Sequence, residues 1–558
     1  MKNVEKYINR FCPAPLTAPH WVQKQKIEKA PVWCSVDLRD GNQALAVPMD
    51  QAEKLELFRL LCHIGFREIE VGFPAASETE YSFLRELIER KLAPEDVTLQ
   101  VMTQAREPIL RRTFDALRGA GHAIIHLYLS TSPVQCEQVL HRSPEEVRKL
   151  AAEAARLMVQ LQKENGTDYT FEFTPESFTE TDPDYALSVA EAVLDEWEPT
   201  PEHKAILNLP ASVELSMPHV FANTVEYIHH RLRRRDSVLL SVHTHNDRGT
   251  AVAACEMGLL AGAERIEGTL FGTGERSGNA DIVTLALNLY TQGVDPGLEL
   301  SDLPKISAVC ERLTRSPIHE RQPYSGRMVF AAYSGSHQDA IAKSLSHREK
   351  QGGPWQIPYL SVDPADIGRE YEEDVIRINS QSGKGGVGYL LEHRFGFVLP
   401  QQMRSAVAAE IKRYSDRQHK VITAEDVYHA FSSAFVNINT PLRVLDYSFR
   451  RGTLTHASVK LELGGSIREL EADGRGRLDA VVNALRDKLG LPFSRATYSE
   501  HALEASTHAE AVTYVSVIAN DGCASWGVGL DDDMVASSVH ALIAAINRNP
   551  SLFIQNTP

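Results

Sequence analysis

AIIHLYLS at residues 123–130, SPEEVRKLAAEAARLMVQLQKENG at 143–166 and DYTFEFTPE at 168–176 read as a strand, a helix and a second strand. In the middle stretch Ser143 can cap the helix, Pro144 takes its first position, and Glu145 and Glu146 sit in its positive first turn. Val147, Leu150, Ala154, Leu157 and Leu161 fall on one face, and Gly166 stops the helix. Gly65, Gly121 and Gly262 end other helical segments in the same way. The unit recurs from Val32 to about Tyr290, where WCSVDLRD, FREIEVGFP, DVTLQVMT, KAILNLPAS, SVLLSVHTHND and ERIEGTLFGTGE supply the other strands. Eight strand–helix units over roughly 250 residues match the length and order of a (β/α)8 TIM barrel. A doubly wound sheet is the alternative, but its Gly-rich opening is missing.

Polar residues on these strands sharpen the reading, because side chains at i and i+2 project to the same face. Asp37 pairs in this way with Arg39, His126 with Tyr128, and Glu172 with Thr174 and Glu176. Asn208 pairs with Ser212, His243 with His245, and Glu267 with Thr269. Polar layers satisfied inside a barrel explain one or two such strands, whereas six crowding toward the C-terminal strand ends point to an active site there.

The chain has 558 residues, too many for one ordinary core. Lys plus Arg number 58 against 74 Asp plus Glu, a formal charge of −16 that disfavours nucleic acid and acidic membrane surfaces as partners. Seven cysteines stand singly, with no C-x-x-C pair, and no window reaches a membrane span. The first twenty residues lack the apolar core of a secretory signal, so a cytoplasmic location is expected.

The expected organisation is an N-terminal extension at 1–30, the barrel at 31–300, a helical and loop-rich connecting region at 301–440, and a C-terminal domain at 441–558. The SGKGG at Ser382–Gly386 departs from the phosphate-loop template, since Gly385 follows Lys384. The C-terminal domain reads as a duplicated α/β unit of ββα type. Ala457–Leu463 and Ile467–Ala472 lead to a helix at about Leu478–Leu489, and Ala511–Ala519 and Ser525–Leu530 lead to one at about Met534–Asn547. Such a unit suits binding or dimerisation.

His243-Thr244-His245-Asn246-Asp247 is the strongest local signal, since two imidazoles at i and i+2 on a strand end can reach one cation. Asp40 after the first strand and Asn279 after the eighth supply oxygens from neighbouring positions on the rim. Two nitrogens with one or two oxygens suit Mg²⁺, Mn²⁺, Co²⁺ or Zn²⁺ acting as a Lewis acid better than a structural zinc. Arg39 can stabilise an enolate or alkoxide, or simply pair with Asp40. Glu176 and Glu275 are acid–base candidates, or carboxylates that orient a histidine. Arg231 and Arg233–Arg235 end a helix and read as a solvated terminus.

The strings CSVDLRDGNQAL, EIEVGFPAAS, ELSMPHVFAN, LSVHTHNDRGT and EGTLFGTGERSGN, with WQIPYLSVDPADIGR and VIRINSQSGKGGVGYLL, resemble the 2-isopropylmalate synthase family. The likeness is to the longer type with a C-terminal leucine-regulatory domain, and it runs from about Ala30 to Arg548. The R-D-G and H-x-H-N-D motifs alone mark only the wider group that includes homocitrate synthase, citramalate synthase and hydroxymethylglutaryl-CoA lyase.

The resemblance implies that Asp40, His243, His245 and Asn279 bind a divalent metal, most simply Mg²⁺, and that Arg39 stabilises the oxyanion. It gives His126, Thr174, Asn208, Pro210 and Ser212 to a keto-acid pocket, and Glu176 and Glu275 to the catalytic shell. His337 and Tyr371 reach the site of the partner subunit in a homodimer. The implied reaction condenses acetyl-CoA with 2-oxoisovalerate, with leucine as effector. Ser212 stands where Thr is commoner, and GRGRLDA and EHALEASTHAEA depart from the usual regulatory strings. A citramalate or homocitrate synthase is the nearest alternative. A leucine-binding protein with a decayed barrel is disfavoured, because Asp40, His243 and His245 stand intact.

Overall fold

A computed structural model describes residues 10–15, 19–330, 335–369, 384–418, 422–503 and 510–553. The chain divides into two compact units, one of residues 1–329 with 364–369 and the other of residues 330–363 with 370–558.

The first unit is a closed parallel barrel of eight strands in chain order. They are β1 (Val32–Ser35), β2 (Glu68–Gly72), β3 (Thr98–Gln104), β4 (Ala123–Ser130), β5 (Thr170–Glu176), β6 (Ala205–Ala211), β7 (Val238–Thr244) and β8 (Arg265–Gly268). Pairing of Val32–Ser35 with Arg265–Gly268 closes the ring. The helices that follow the strands are α1 (Gln51–Ile64), α2 (Glu78–Glu89), α3 (Glu107–Ala116), α4 (Pro144–Asn165), α5 (Pro183–Trp197), α6 (Pro218–Arg231), α7 (Ala251–Leu260) and α8 (Ile282–Thr291).

Helix α4 begins at the expected cap, since Ser143 and Glu146 form a reciprocal capping box, and Gly166 ends it in the left-handed region. Its buried face is Val147, Ala151, Ala154, Ala155, Met158 and Leu161, while Leu150 and Leu157 are only half-buried. The small alanines let α4 lie close against its neighbour and rotate the buried stripe away from the two leucines. Gly65 and Gly262 take positive φ as expected, but after α3 the positive φ falls on Gly119 rather than Gly121.

Two expected strand ends are turns. β1 stops at Ser35, and Asp37–Gly41 form a π-helical turn, closed where Gly41 N–H donates to the Val36 carbonyl. Asp37 and Arg39 therefore do not share a strand face. The Asp37 carboxylate accepts from Ser35 Oγ and Leu270 N, whereas Arg39 reaches Glu70 and Asp40. Beyond β6, Ser212 has left the strand alternation, whereas Thr269 after β8 stays extended and bridges Asp281. Ser212 Oγ accepts from Ser177 N, and Thr269 Oγ1 donates to the Thr273 carbonyl.

The second unit holds helices at Gly335–Gln351, Lys384–Phe395, Arg404–Gln418 and Ala424–Phe435, then a duplicated α/β module. Each half has one strand more than the sequence pattern marks. Leu442–Arg451, Thr455–Leu463 and Ser466–Gly474 form one antiparallel sheet, and Phe493–Ala502, Ala511–Ala519 and Ala524–Asp531 the other. The halves share one core, in which Val459, Leu461, Val481 and Leu485 meet Val515, Val517, Leu542 and Ile546. The opposite face of the second sheet is covered too, by Phe431, Phe435, Met403 and Ile411 against Val512, Tyr514 and Val528. This double cover explains why Ala511–Ala519 is apolar on both faces.

Candidate active site

Barrel strands aim the loops after them at one rim. The Asp37–Gly41 turn swings Asp40 over the barrel mouth, and His245 pairs through its backbone with Asn279. Asp40 Oδ2 lies 3.5 Å from His243 Nε2 and 3.8 Å from His245 Nε2. All three groups are buried, as is Asn279. Glycine makes this loop feasible. Gly278 has φ +96°, and a Cβ there would stand 1.9 Å from the Gly272 carbonyl oxygen.

Electrostatics sort the cluster. Burial opposes ionisation of Asp40, yet Arg39 Nη1 at 2.9 Å and the two imidazoles hold its carboxyl well below the usual range. Burial alone would lower His243, but the nearby Asp40 carboxylate and the hydrogen-bonded Glu267 raise its pKa to about 9. Burial and the neighbouring His243 push His245 down to about 4.

Beneath the rim runs a chain of buried carboxylates and donors. Glu70 accepts from Arg39 Nε and, at 2.8 Å, from His126 Nδ1. His126 Nε2 lies 2.6 Å from Thr174 Oγ1, which accepts from Asn208 Nδ2 at 3.2 Å. Glu267 receives His243 Nδ1 at 3.0 Å, Asn208 Nδ2 at 3.1 Å, Gln100 Nε2 at 2.9 Å and Arg265 Nη1 at 3.0 Å. Arg265 is fully buried and continues to Glu68 at 2.6 Å. Pro210 lies beside His243 in the β6–β7 register.

The two acid–base candidates differ in setting. Glu176 is half-buried, and burial raises its pKa against the pull of Arg39. Glu275 is more exposed, but Gln43 Nε2 bridges it to Asp40, donating at 3.0 Å to Glu275 Oε1 and at 3.1 Å to Asp40 Oδ1. His337 belongs to the second unit, where its ring stacks on Tyr359 with centroids 3.9 Å apart. Tyr371 lies outside the described residues. Glu70, Gln100 and Gln43 are site groups beyond those the sequence reading selected. Glu68 and Glu70 carry the same i, i+2 signal in FREIEVGFP that marked the other strands.

Residues 30–310 match the HMGL-like family, residues 327–392 the alpha-isopropylmalate synthase post-catalytic domain-like family, and residues 421–549 the LeuA allosteric (dimerisation) domain. A 2-isopropylmalate synthase from Desulfitobacterium hafniense is 54% identical over 548 residues, covering 98% of each chain. The chain belongs to the 2-isopropylmalate synthase family. Relatives of the same name from Helicobacter hepaticus and Clostridium acetobutylicum are 49% and 46% identical, spanning 97% and 98% of this chain and 99% of theirs.

The rim donors fit the divalent cation that likeness to 2-isopropylmalate synthases implies. Asp40 Oδ2 and Asn279 Oδ1 are buried atoms with no hydrogen-bond partner among the described residues. A buried polar atom without a partner is costly, and an oxygen-binding cation would satisfy both. Among the described residues, no helix is long and apolar enough to cross a membrane.

Proposed function

We propose that this 2-isopropylmalate synthase family member condenses acetyl-CoA with 2-oxoisovalerate and water, giving 2-isopropylmalate and free CoA in the first step of leucine biosynthesis. The observation that carries the reading is the full-length match, 54% identity over 98% of both chains. Asp40, His243, His245 and Asn279 are the residues that would hold a divalent cation, which supplies Lewis-acid polarisation of the keto acid when bound.

The chain's own groups divide the rest of the work. His126, Thr174 and Asn208, at the floor, and Pro210 and Ser212, at the end of β6, line the keto-acid side. A carboxylate base, Glu176 or Glu275, removes a methyl proton from acetyl-CoA. The resulting carbanion forms the new bond at the keto carbon, and the carbonyl oxygen becomes an alkoxide. Arg39, fixed by Glu70 and Asp40, places a permanent positive charge toward that oxygen. Water then cleaves the thioester and releases CoA.

The reading includes a cytoplasmic homodimer with leucine as effector. The LeuA match over residues 421–549 supports the dimer and the effector, and seven unpaired cysteines support a reducing compartment. Of the two altered regulatory strings, GRGRLDA is described, and Arg475 N donates there to Asp479 at 2.8 Å. The other, EHALEASTHAEA, falls partly outside the described residues at 504–509. His337 and Tyr371 are assigned to the partner's active site on the resemblance alone.

Free-thiol release from acetyl-CoA across a panel of keto acids tests the proposal. The expected result is the highest kcat/KM with 2-oxoisovalerate. Preference for pyruvate or 2-oxoglutarate would make the protein a citramalate or homocitrate synthase instead.

A further inference from the structure

Glu172 is a fully buried carboxyl group on β5, and neither of its oxygens has a hydrogen-bond partner among the described residues. Such a group is expensive unless it is satisfied or neutral. The donors near it form their hydrogen bonds with other groups. Arg265 Nη2 approaches Glu172 Oε2 at 3.5 Å without a hydrogen bond, while the guanidinium bonds Glu68, Ser241, Glu267 and Gln100. Gln100 Nε2 serves Glu267 and Glu70, and Asn208 Nδ2 serves Thr174 and Glu267.

The same holds for His126. Its Nδ1 lies 2.8 Å from Glu70 and its Nε2 2.6 Å from Thr174 Oγ1, whereas Glu172 Oε1 is 3.8 Å away, beyond hydrogen-bond reach. His126 therefore makes no hydrogen bond to Glu172. The close partners of the two guanidinium groups are other carboxylates, Asp40 and Glu70 for Arg39, and Glu68 and Glu267 for Arg265. One oxygen of Glu172, one of Glu267 and a nitrogen of His126 lie within 4.8 Å of one another, which brings two buried carboxyl groups close together.

We infer that Glu172 is a neutral carboxylic acid whose proton bonds Glu267, and that through this bond it is a positioning residue for His243. The hydroxyl of Glu172 donates and a Glu267 oxygen accepts. Glu267 is thereby held in the place from which it receives His243 Nδ1, leaving Nε2 turned toward Asp40. A proton rather than a metal ion fills the gap, because Arg265 puts positive charge 3.5 Å from Glu172 and 3.0 Å from Glu267 and would repel an ion between them. Burial and the Glu267 charge both push the Glu172 carboxyl well above its ordinary pKa, against the opposing pull of Arg265.

The positioning role rests on the condensing reaction proposed above, whereas the proton does not, so the two are read separately. Infrared difference spectra between the wild type and Glu172→Gln should show the carbonyl stretch of one protonated carboxyl group, sensitive to deuterium exchange. Turnover supplies the second readout. Glu172→Leu should lose about 10–100-fold, the range seen when a partner behind a metal-binding histidine is removed. Glu172→Gln, which keeps the shape and a donor, should recover that loss. Absence of the carboxyl band overturns the inference, and so does a Glu172→Gln protein as inactive as Glu172→Leu. Should Glu172→Leu fail to fold, the band and the activity of Glu172→Gln relative to wild type decide. A wild type that condenses no keto acid would refute the proposed function and leave the infrared result to stand alone.

Discussion

Glu267→Gln tests the site from below. The Glu267 carboxylate receives Arg265 and Gln100 on Oε1, and Asn208 and His243 on Oε2. A glutamine has one oxygen, so its NH₂ must face one of these donor pairs. If it faces Arg265 and Gln100, a fully buried guanidinium keeps only Glu68 as a close acidic partner, with Glu172 at 3.5 Å. If it faces Asn208 and His243, the imidazole must give up its Nδ1 proton and carry it on Nε2, the nitrogen turned toward Asp40. Removing one partner of a buried ion pair costs about 3–5 kcal/mol, and orphaning buried neutral donors about 1–3 kcal/mol. Glu68 remains on Arg265, so the expected loss of folding stability is about 2–4 kcal/mol.

The second consequence is at the rim. His243 would bind a cation with the wrong proton in place, and divalent-metal affinity should fall about 10–100-fold, or about 1.4–2.8 kcal/mol. Urea unfolding with an unchanged slope and a lower midpoint measures the first effect, and calorimetric titration of the metal-stripped protein with Mg²⁺ or Mn²⁺ measures the second. A variant with wild-type metal affinity and a wild-type unfolding midpoint would refute the reasoning, because one of the two donor pairs must lose its acceptor.

His243→Ala should abolish metal-dependent turnover while leaving near-native circular dichroism and a cooperative melt, because a rim ligand contributes more to the site than to the core. Arg39→Ala should lower kcat more than it raises KM, since charge on the keto oxygen develops mainly in the transition state; steady-state kinetics at saturating metal separate the two. Gly278→Ala should weaken metal binding in titration calorimetry, because its Cβ meets the Gly272 carbonyl and only a backbone shift that carries Asn279 can relieve it. Burial raises Asp37 from its ordinary 3.8 to about 7, so the native state holds that proton more tightly than the unfolded chain does. The stability it contributes is complete below about pH 4 and is lost as pH rises through 7. Relative to Asp37→Asn, the wild type should lose about 3 kcal/mol between about pH 5 and pH 8 in urea titrations.

The barrel was legible because its signals are local. Eight apolar runs, the Ser143 cap and the Gly166 stop each act within a few residues, and His243, His245 and Asp40 stand beside them. What was not legible depends on distant partners. The Asp37–Gly41 turn forms because Asp37 finds Leu270 N and Arg39 finds Glu70, 233 and 31 residues away. Alternation alone extends that stretch as a strand. The first strand of each C-terminal half escaped for a related reason. Leu442–Arg451 lies at a sheet edge with many exposed polar residues, so its composition is that of a loop until Thr455–Leu463 pairs with it. Glu68 and Glu70 did carry a local signal, yet only Arg265 and Arg39 give them a role.

These distant partners also explain why the barrel interior is charged. From Glu68 through Arg265, Glu267 and His243 to Asp40, and back through Arg39 and Glu70 to His126, each group is within 3.5 Å of the next. Replacing a buried ion network by well-packed apolar residues is often neutral or stabilising, so stability alone does not account for this one. Aliphatic side chains would fill the same volume without fixing a direction. A carboxylate that must accept from two or more donors has few orientations open to it, and each donor it holds is fixed in turn. Orientation is thus handed upward from the barrel floor to His243 Nε2 and Arg39 at the rim. On this argument the interior carboxylates and the rim ligands form one device. A substitution at Glu70 or Glu267 should therefore lower kcat more than a volume-matched change at an outward-facing barrel residue such as Val242.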